Sequence, residues 1–419
     1  VRRYSLAMLA IVYMFNFVDR QILAILLPAI QAEFQVGDTV LGLLAGTAFA
    51  LFYVTLGIPI ARIADRFNRR NLIAAAVAIW SGMTALSGLA ANIWQLAMAR
   101  IGVGVGEAGC TPPAHSMIAD LYPPEKRSAA MGVYTLGISA GIMFAYMAGG
   151  WVVQNIGWRQ AFFIVGLPGL ALAALFWLTV PEPARGASES GTRVDGGQPP
   201  RFMDVLRFLA ARRSFLYMAV AAGLCSFVGY SVVNFLPTFL VRSFFVDYAV
   251  LGFWLGPIYG IAGGAGFFGG GYIADRIGRD GHQRALRFIG LAMLFTAVVN
   301  LSVFFAPTFA WCVVSLIIPM VTSNFYLAPV MSQTQSLVSL RMRAVASSVL
   351  LLIINIIGLA IGPPITGLIS DLLEPGLGLE SMRYSLLLIS CALLPLAAWC
   401  FWQAARWIEQ DLARAHEHD

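Results

Sequence analysis

Charge is scarce in this chain. Asp, Glu, Lys and Arg make up 11% of its 419 residues while 59% are hydrophobic, and such a composition, with roughly half the charged fraction of an average soluble domain, excludes a water-facing surface over most of the molecule. Cysteine is sparse as well. Cys110, Cys225, Cys312, Cys391 and Cys400 fall inside apolar runs at no metal-like spacing, so neither a disulfide framework nor a metal site is expected, and they read as small packing residues. Histidine is limited to four copies. No Ser-His-Asp or Cys-His set can be assembled from position, so no enzyme, no catalytic residue and no cofactor is expected.

What is present in excess is long apolar sequence. Twelve runs can be read, from Ser5 to Ile30, Leu41 to Ala64, Asn71 to Ala91, Trp94 to Ile118, Ser128 to Gln154, Gln160 to Val180, Ser214 to Val241, Ala249 to Ile273, Ala285 to Ala306, Thr308 to Gln333, Ala344 to Ile369 and Met382 to Trp407. Each suits a helix crossing a hydrocarbon core of about 30 Å. Barrel strands would instead show about ten alternating residues. The expected class is therefore an all-α membrane protein with twelve transmembrane helices. The first run carries charges in its interior, so it reads as a retained helix and not as a cleaved signal.

The formal net charge of +6 does not point to nucleic acid, because its distribution is one-sided. Arg20 and Arg100 lie within runs, Arg159, Arg242 and Arg383 lie in loops on one side, and the remaining basic residues fall on the other side. This asymmetry places both termini and the long central loop in the cytoplasm, as expected for a bacterial inner membrane.

That central loop begins "PEPARGASESGTRVDGGQPPRF" from Pro181, a composition rich in Gly, Ser and Pro that marks a linker. It divides the chain into residues 1–180, a linker over 181–213 and residues 214–419, the outer parts being two pseudo-symmetric six-helix bundles. Within the linker, "RFMDVLRFLAARRSF" alternates apolar and basic residues as a helix on the inner membrane face would.

The halves echo each other. "ARIADRFNRR" ends the second run and "GYIADRIGRD" the eighth, and such an internal repeat signals duplication. These residues, the run count and the linker position resemble the major facilitator superfamily. By that resemblance Asp65, Arg66, Arg69, Arg70, Asp275 and Arg276 belong to a conformational latch joining the halves. Ala61 and Asn68 depart from the family's glycines. "GISAG" from Gly137, with Gly149 and Gly150, and "GLAIGPP" from Gly358 resemble the superfamily's bending motif, and small residues there let backbones approach closely.

Charges inside the runs need an explanation, since each costs about 2.5 to 3.5 kcal/mol at the bilayer centre. Asp19 and Arg20 lie on the first helix, Arg100 and Glu107 on the fourth. Counting rise per residue puts Asp19 about 21 Å from one edge and Arg100 about 12 Å from the other, with Glu107 about 22 Å down. Asp19 is thus expected to reach Arg100 in a water-accessible set, with Glu107 lower. "GVGVGEAG" around Glu107 lies within a helix without a preceding strand, so it reads as close packing and not as a phosphate loop. His115 reads as a packing residue ahead of a proton relay, and the tail His416 and His418 as solvated.

"YMFNFVDRQILAILLPAIQAEF" in the first helix and "RIGVGVGEAGCTPPAHSMIADLYPPEKRSAAMG" from the fourth into the fifth are similar to the spinster family of lysolipid and sphingosine-phosphate transporters. The resemblance implies Asp19 and Glu107 as proton-coupling acids, with Arg20 and Arg100 as charge partners and anion anchors. Asn16 with Phe227, Tyr230, Asn234, Tyr326 and Gln333 would line a lopsided substrate cavity. The expected function is proton-coupled transport of an amphipathic, lipid-like anion by rocker-switch alternating access. A symporter of small organic anions, a drug/proton antiporter and a non-transporting lipid sensor are the alternatives. Protons, membrane lipids and the substrate are the expected partners of a monomer.

Overall fold

A computed structural model of the protein describes residues 2–64, 67–185, 202–278, 281–339 and 342–416. Among them the chain is helical throughout, in the order α1 (Arg2–Phe34), α2 (Asp38–Gly42), α3 (Ala48–Ala64), α4 (Arg69–Ser87), α5 (Ile93–Glu107), α6 (Thr111–Leu121), α7 (Pro124–Asn155), α8 (Trp158–Thr179) and α9 (Phe202–Ala210). Then follow α10 (Arg213–Phe244), α11 (Tyr248–Pro257), α12 (Gly263–Gly278), α13 (His282–Phe304), α14 (Phe309–Thr322), α15 (Leu327–Ser336), α16 (Arg343–Asn355), α17 (Gly362–Leu377) and α18 (Ser381–His416). Each apolar run of the sequence is one helix or two consecutive ones.

The doubled runs are broken in two ways. In the second, eighth and eleventh runs a short π-helical segment, Leu43–Thr47, Ile258–Ala262 and Ile356–Ile361, joins the two parts. In the fourth and tenth runs the helix stops outright, after Glu107 and after Thr322, and restarts at Thr111 and Leu327. Pro112 and Pro113 explain the first restart, since a residue without an N–H is best placed in a first helical turn. Nine segments among the described residues are long and apolar enough to cross a membrane by length and composition. Helix α4 and the broken α5 and α6 are not among them.

The chain forms two compact units. The first takes in the described residues up to 185 together with Phe245–Gly260, the second residues 202–244 and those from Ile261 onward. Within the first unit α11 packs on α7. Glycine makes that contact possible. A Cβ on Gly252 would stand 2.2 Å from the Tyr146 carbonyl oxygen, and one on Gly150 2.3 Å from that of Tyr248. The rings of Tyr146 and Tyr259 stack beside them at 4.9 Å.

Within the first unit α1 packs on α7, α4 on α8, and α5 against both α3 and α4. In the second, α18 packs on α10 and on α13. Its far turns also cap α10, as the Asp411 carboxylate accepts from Ser214 N at 2.8 Å and Ser214 Oγ at 2.7 Å. Helix α9 turns Val205 and Leu209 inward and leaves Phe202 and Met203 exposed. Cys110, Cys225, Cys312 and Cys400 are buried, and Cys391 is exposed.

The 33 residues of α1 make about 50 Å of helix against a hydrocarbon core of about 30 Å, and its last turn lies beyond the apolar run that ends at Ile30. Glu33 on that turn accepts from Trp158 Nε1 at 2.7 Å and Arg159 Nη1 at 2.6 Å. The Arg159 bond, then that of Trp158, holds the Glu33 carboxyl below its ordinary value of 4.5. A carboxylate depressed in the folded state stabilises above the ordinary value and loses that contribution as pH falls through the folded one. Glu33→Gln is therefore expected to lower stability modestly at neutral pH, by no more than about 1 kcal/mol for so exposed a pair. The gap to wild type should narrow as pH falls below the ordinary carboxylate value, on thermal unfolding followed across pH.

Candidate functional site: a buried charge cluster in the first unit

Successive residues of a helix point about 100° apart, so Asp19 and Arg20, adjacent on α1, face different neighbours. Arg20 turns to α3 and to the end of α5. Its Nη2 donates to Glu107 Oε2 at 2.6 Å and its Nε donates to the same oxygen at 3.1 Å. Three rings surround the guanidinium, with centroids 5.2 Å away for Phe17, 4.7 Å for Phe49 and 4.8 Å for Tyr53. Asn16, one turn before Arg20 on α1, lies alongside Glu107, and Glu107 Oε1 is left without a hydrogen bond.

Asp19 turns the other way, to α4. Thr84 and Trp80 stand next to its carboxylate, yet neither completes a hydrogen bond to it, and both carboxylate oxygens are buried without one. Arg100 reaches α1 only at the backbone: its Nη2 donates to the Asp19 carbonyl at 3.4 Å, while Nε and Nη1 have no hydrogen-bond partner. The expected Asp19 to Arg100 side-chain pair is thus replaced by an Arg20 to Glu107 pair. Arg100 arrives at the level of Asp19, as counting residues expects, and the rotation about α1 decides the partners.

The set is also drier than expected. Asp19 is 0% exposed, Glu107 1% and Arg100 2%, so among the four only Arg20, whose side chain is 12% exposed, reaches the surface. Helix packing causes the enclosure. A Cβ on Gly104 would stand 2.6 Å from the Phe49 carbonyl oxygen and one on Gly106 2.7 Å from Trp80 N, so the glycine run brings α5 against the backbones of α3 and α4. Glu107 ends α5, and the break at Ala108 to Cys110 follows it directly.

Of the residues expected in the second unit, Tyr326 is buried beside Tyr230 and Ser226. Phe227 is buried on the same α10. Asn234 donates to the Tyr230 carbonyl of its own helix at 2.8 Å. Gln333 Oε1 accepts from His282 Nδ1 at 2.6 Å, where α13 begins.

Asp65 and Arg66 lie outside the described residues, as does the side chain of Asp275; Arg276 is exposed. Arg69 is 1% exposed and forms a hub inside its own unit. Its Nε donates to Glu182 Oε1 at 2.7 Å, Nη1 to Ser116 Oγ at 2.9 Å and to Asp120, and Nη2 to the Pro183 carbonyl at 2.8 Å. Arg70 N donates to Glu182 Oε2 at 2.8 Å. Ser116, Asp120 and Glu182 were missed by sequence reasoning, as were Trp80, Thr84, Phe49 and Tyr53. A signal existed for two of them: an acid at the end of α6, and one between prolines just past α8.

Several membrane spans that enclose a cluster of charges fit a transporter. A family model for the Major Facilitator Superfamily matches residues 9–363, and the chain belongs to that superfamily. An MFS-type efflux pump of Mycolicibacterium smegmatis is 31% identical over 408 residues, 97% of this chain and 94% of that one. The sphingosine-1-phosphate transporter SPNS2 of Danio rerio is 30% identical over 233 residues, which is 54% of this chain and 45% of that protein. The crystal structure of a bacterial homolog to the human lysosomal transporter spinster, inward-facing and unoccupied, superposes with a TM-score of 0.91 at 31% identity, over 98% of both chains. The chain is thus a secondary transporter related to the spinster proteins.

Proposed function

We propose that this protein couples proton movement to transport of an amphipathic, lipid-like substrate with an anionic head, by rocker-switch alternating access in a bacterial plasma membrane with both termini cytoplasmic. The observation that carries the reading is the cluster of two acids and two arginines, with Asp19, Glu107 and Arg100 buried and Arg20 at its edge. With both acids ionised the four formal charges cancel. Taking up one proton leaves an arginine uncompensated in a low-dielectric interior, which favours an incoming anion. Asp19 and Glu107 are the proposed proton carriers, Arg20 and Arg100 the proposed anchors. The substrate class is supported by the sphingosine-1-phosphate transporter among the relatives, and the cytoplasmic termini by the basic asymmetry of the loops.

Rocking is supported by the repeated Asp-Arg motif at Asp65 and Asp275, proposed as the latch, and by the duplicated architecture. In proteoliposomes an imposed pH gradient is expected to drive a lysophospholipid or sphingosine phosphate across the membrane at several times the protein-free rate, and a protonophore should stop it. Flux indifferent to the gradient would sink the coupling. The efflux-pump relative favours a drug/proton antiporter as the second reading, which predicts pH-driven extrusion of dyes with no competition from lysolipids.

A further inference from the structure

The three rings around Arg20 form a receptor for cations that is occupied by a cation of the protein's own chain. Phe17 comes from α1, Phe49 and Tyr53 from α3, and all three centroids lie within 5.2 Å of the guanidinium carbon. Rings presented in this way attract any positive head by their quadrupoles, quaternary ammonium groups included. The carboxylate beneath completes the receptor. Glu107 gives only Oε2 to Arg20, through Nε and Nη2, and keeps Oε1 buried without a hydrogen bond, so the pair is not the two-oxygen fork in which arginine binds carboxylate most firmly.

Access is on the same side as the tethered cation. Arg20, Phe17 and Tyr53 are partly exposed, whereas Asp19, Arg100 and Glu107, the other charged groups here, are buried. An arginine has a long side chain with many rotamers, so it can leave the rings without any movement of α1.

We infer that the Phe17, Phe49 and Tyr53 cage over Glu107 is a binding site for an organic ammonium cation, and that Arg20 is a tethered surrogate which the ligand's cation displaces. The inference rests on the transport reading and narrows its substrate: the molecule carried bears a positive nitrogen. A molecule that also carries an anionic group offers the displaced Arg20 a new partner, so the exchange swaps one ion pair for two and leaves the net charge of the site unchanged.

The test is calorimetric titration of the full-length protein in lipid nanodiscs with octyltrimethylammonium, with octyl sulfate as the anionic control. Arg20→Ala removes the competitor and is expected to tighten cation binding about tenfold, the size a desolvated ring and cation attraction supports. Tyr53→Leu should weaken cation binding severalfold and leave the sulfate unaffected. If Arg20→Ala does not fold, Arg20→Gln makes the same comparison with a neutral donor left to Glu107. The proposal is overturned if removing the arginine charge leaves cation affinity unchanged or lowers it, or if Tyr53→Leu has no effect. No proton gradient is involved, so failure here leaves the coupling reading standing, and loss of pH-driven flux would leave the cage standing.

Discussion

Glu107→Gln is expected to reduce pH-driven accumulation in proteoliposomes at least tenfold, with Asp19→Asn close behind. The amide keeps the size and a hydrogen-bond acceptor but cannot release a proton, so the step that links proton uptake to the arginines is lost. A purely structural ion pair would also suffer, because removing one partner of a buried pair costs about 3–5 kcal/mol. The two explanations part in the double variant Arg20→Gln with Glu107→Gln. Two neutral amides leave no uncompensated charge, so thermal stability should return toward wild type while transport stays lost. Replacing both members of a buried pair is often neutral for stability. Wild-type coupling in that double variant would remove Glu107 from the mechanism.

Arg69→Ala is expected to cost about 3 kcal/mol of stability, at the low end for breaking a buried pair because both of its acids keep some contact with water. The side chain of Arg69 is 1% exposed, those of Asp120 and Glu182 13% and 24%. One guanidinium holds three elements: the start of α4, the end of α6 and the segment after α8. Arg69→Lys keeps the charge but not the fork of donors, so it should recover less than half of the loss. Thermal unfolding in detergent, with Glu182→Gln completing a double-mutant cycle, measures the coupling. A loss below 1 kcal/mol, or strict additivity with Glu182→Gln, would show the hub to be inert.

The helices and the duplication were legible because run length and repetition are properties of the chain itself. So was the role of the glycines before Glu107, which the structure places against the backbones of α3 and α4. What the sequence did not carry was azimuth. Depth along a helix follows from counting residues, but which neighbour a side chain meets depends on how α1 is rotated among α3, α4 and α5. Depth alone pairs Asp19 with Arg100, whereas rotation gives Glu107 to Arg20. Partners far apart in the chain were likewise silent: Arg69 and Glu182 are 113 residues apart, with no pattern in either that names the other. The α11 contact with α7 was silent for a different reason, since its glycines signal close approach to some helix without saying which one.

The placement of the sulfur atoms has a practical outcome for watching this molecule move. Cys110, Cys225, Cys312 and Cys400 are inaccessible and Cys391 alone of the five is exposed. A single Cys391→Ser replacement therefore yields a background in which maleimide dyes or spin labels find only the thiols an experimenter introduces, and distances between reporters can be followed without rebuilding the interior.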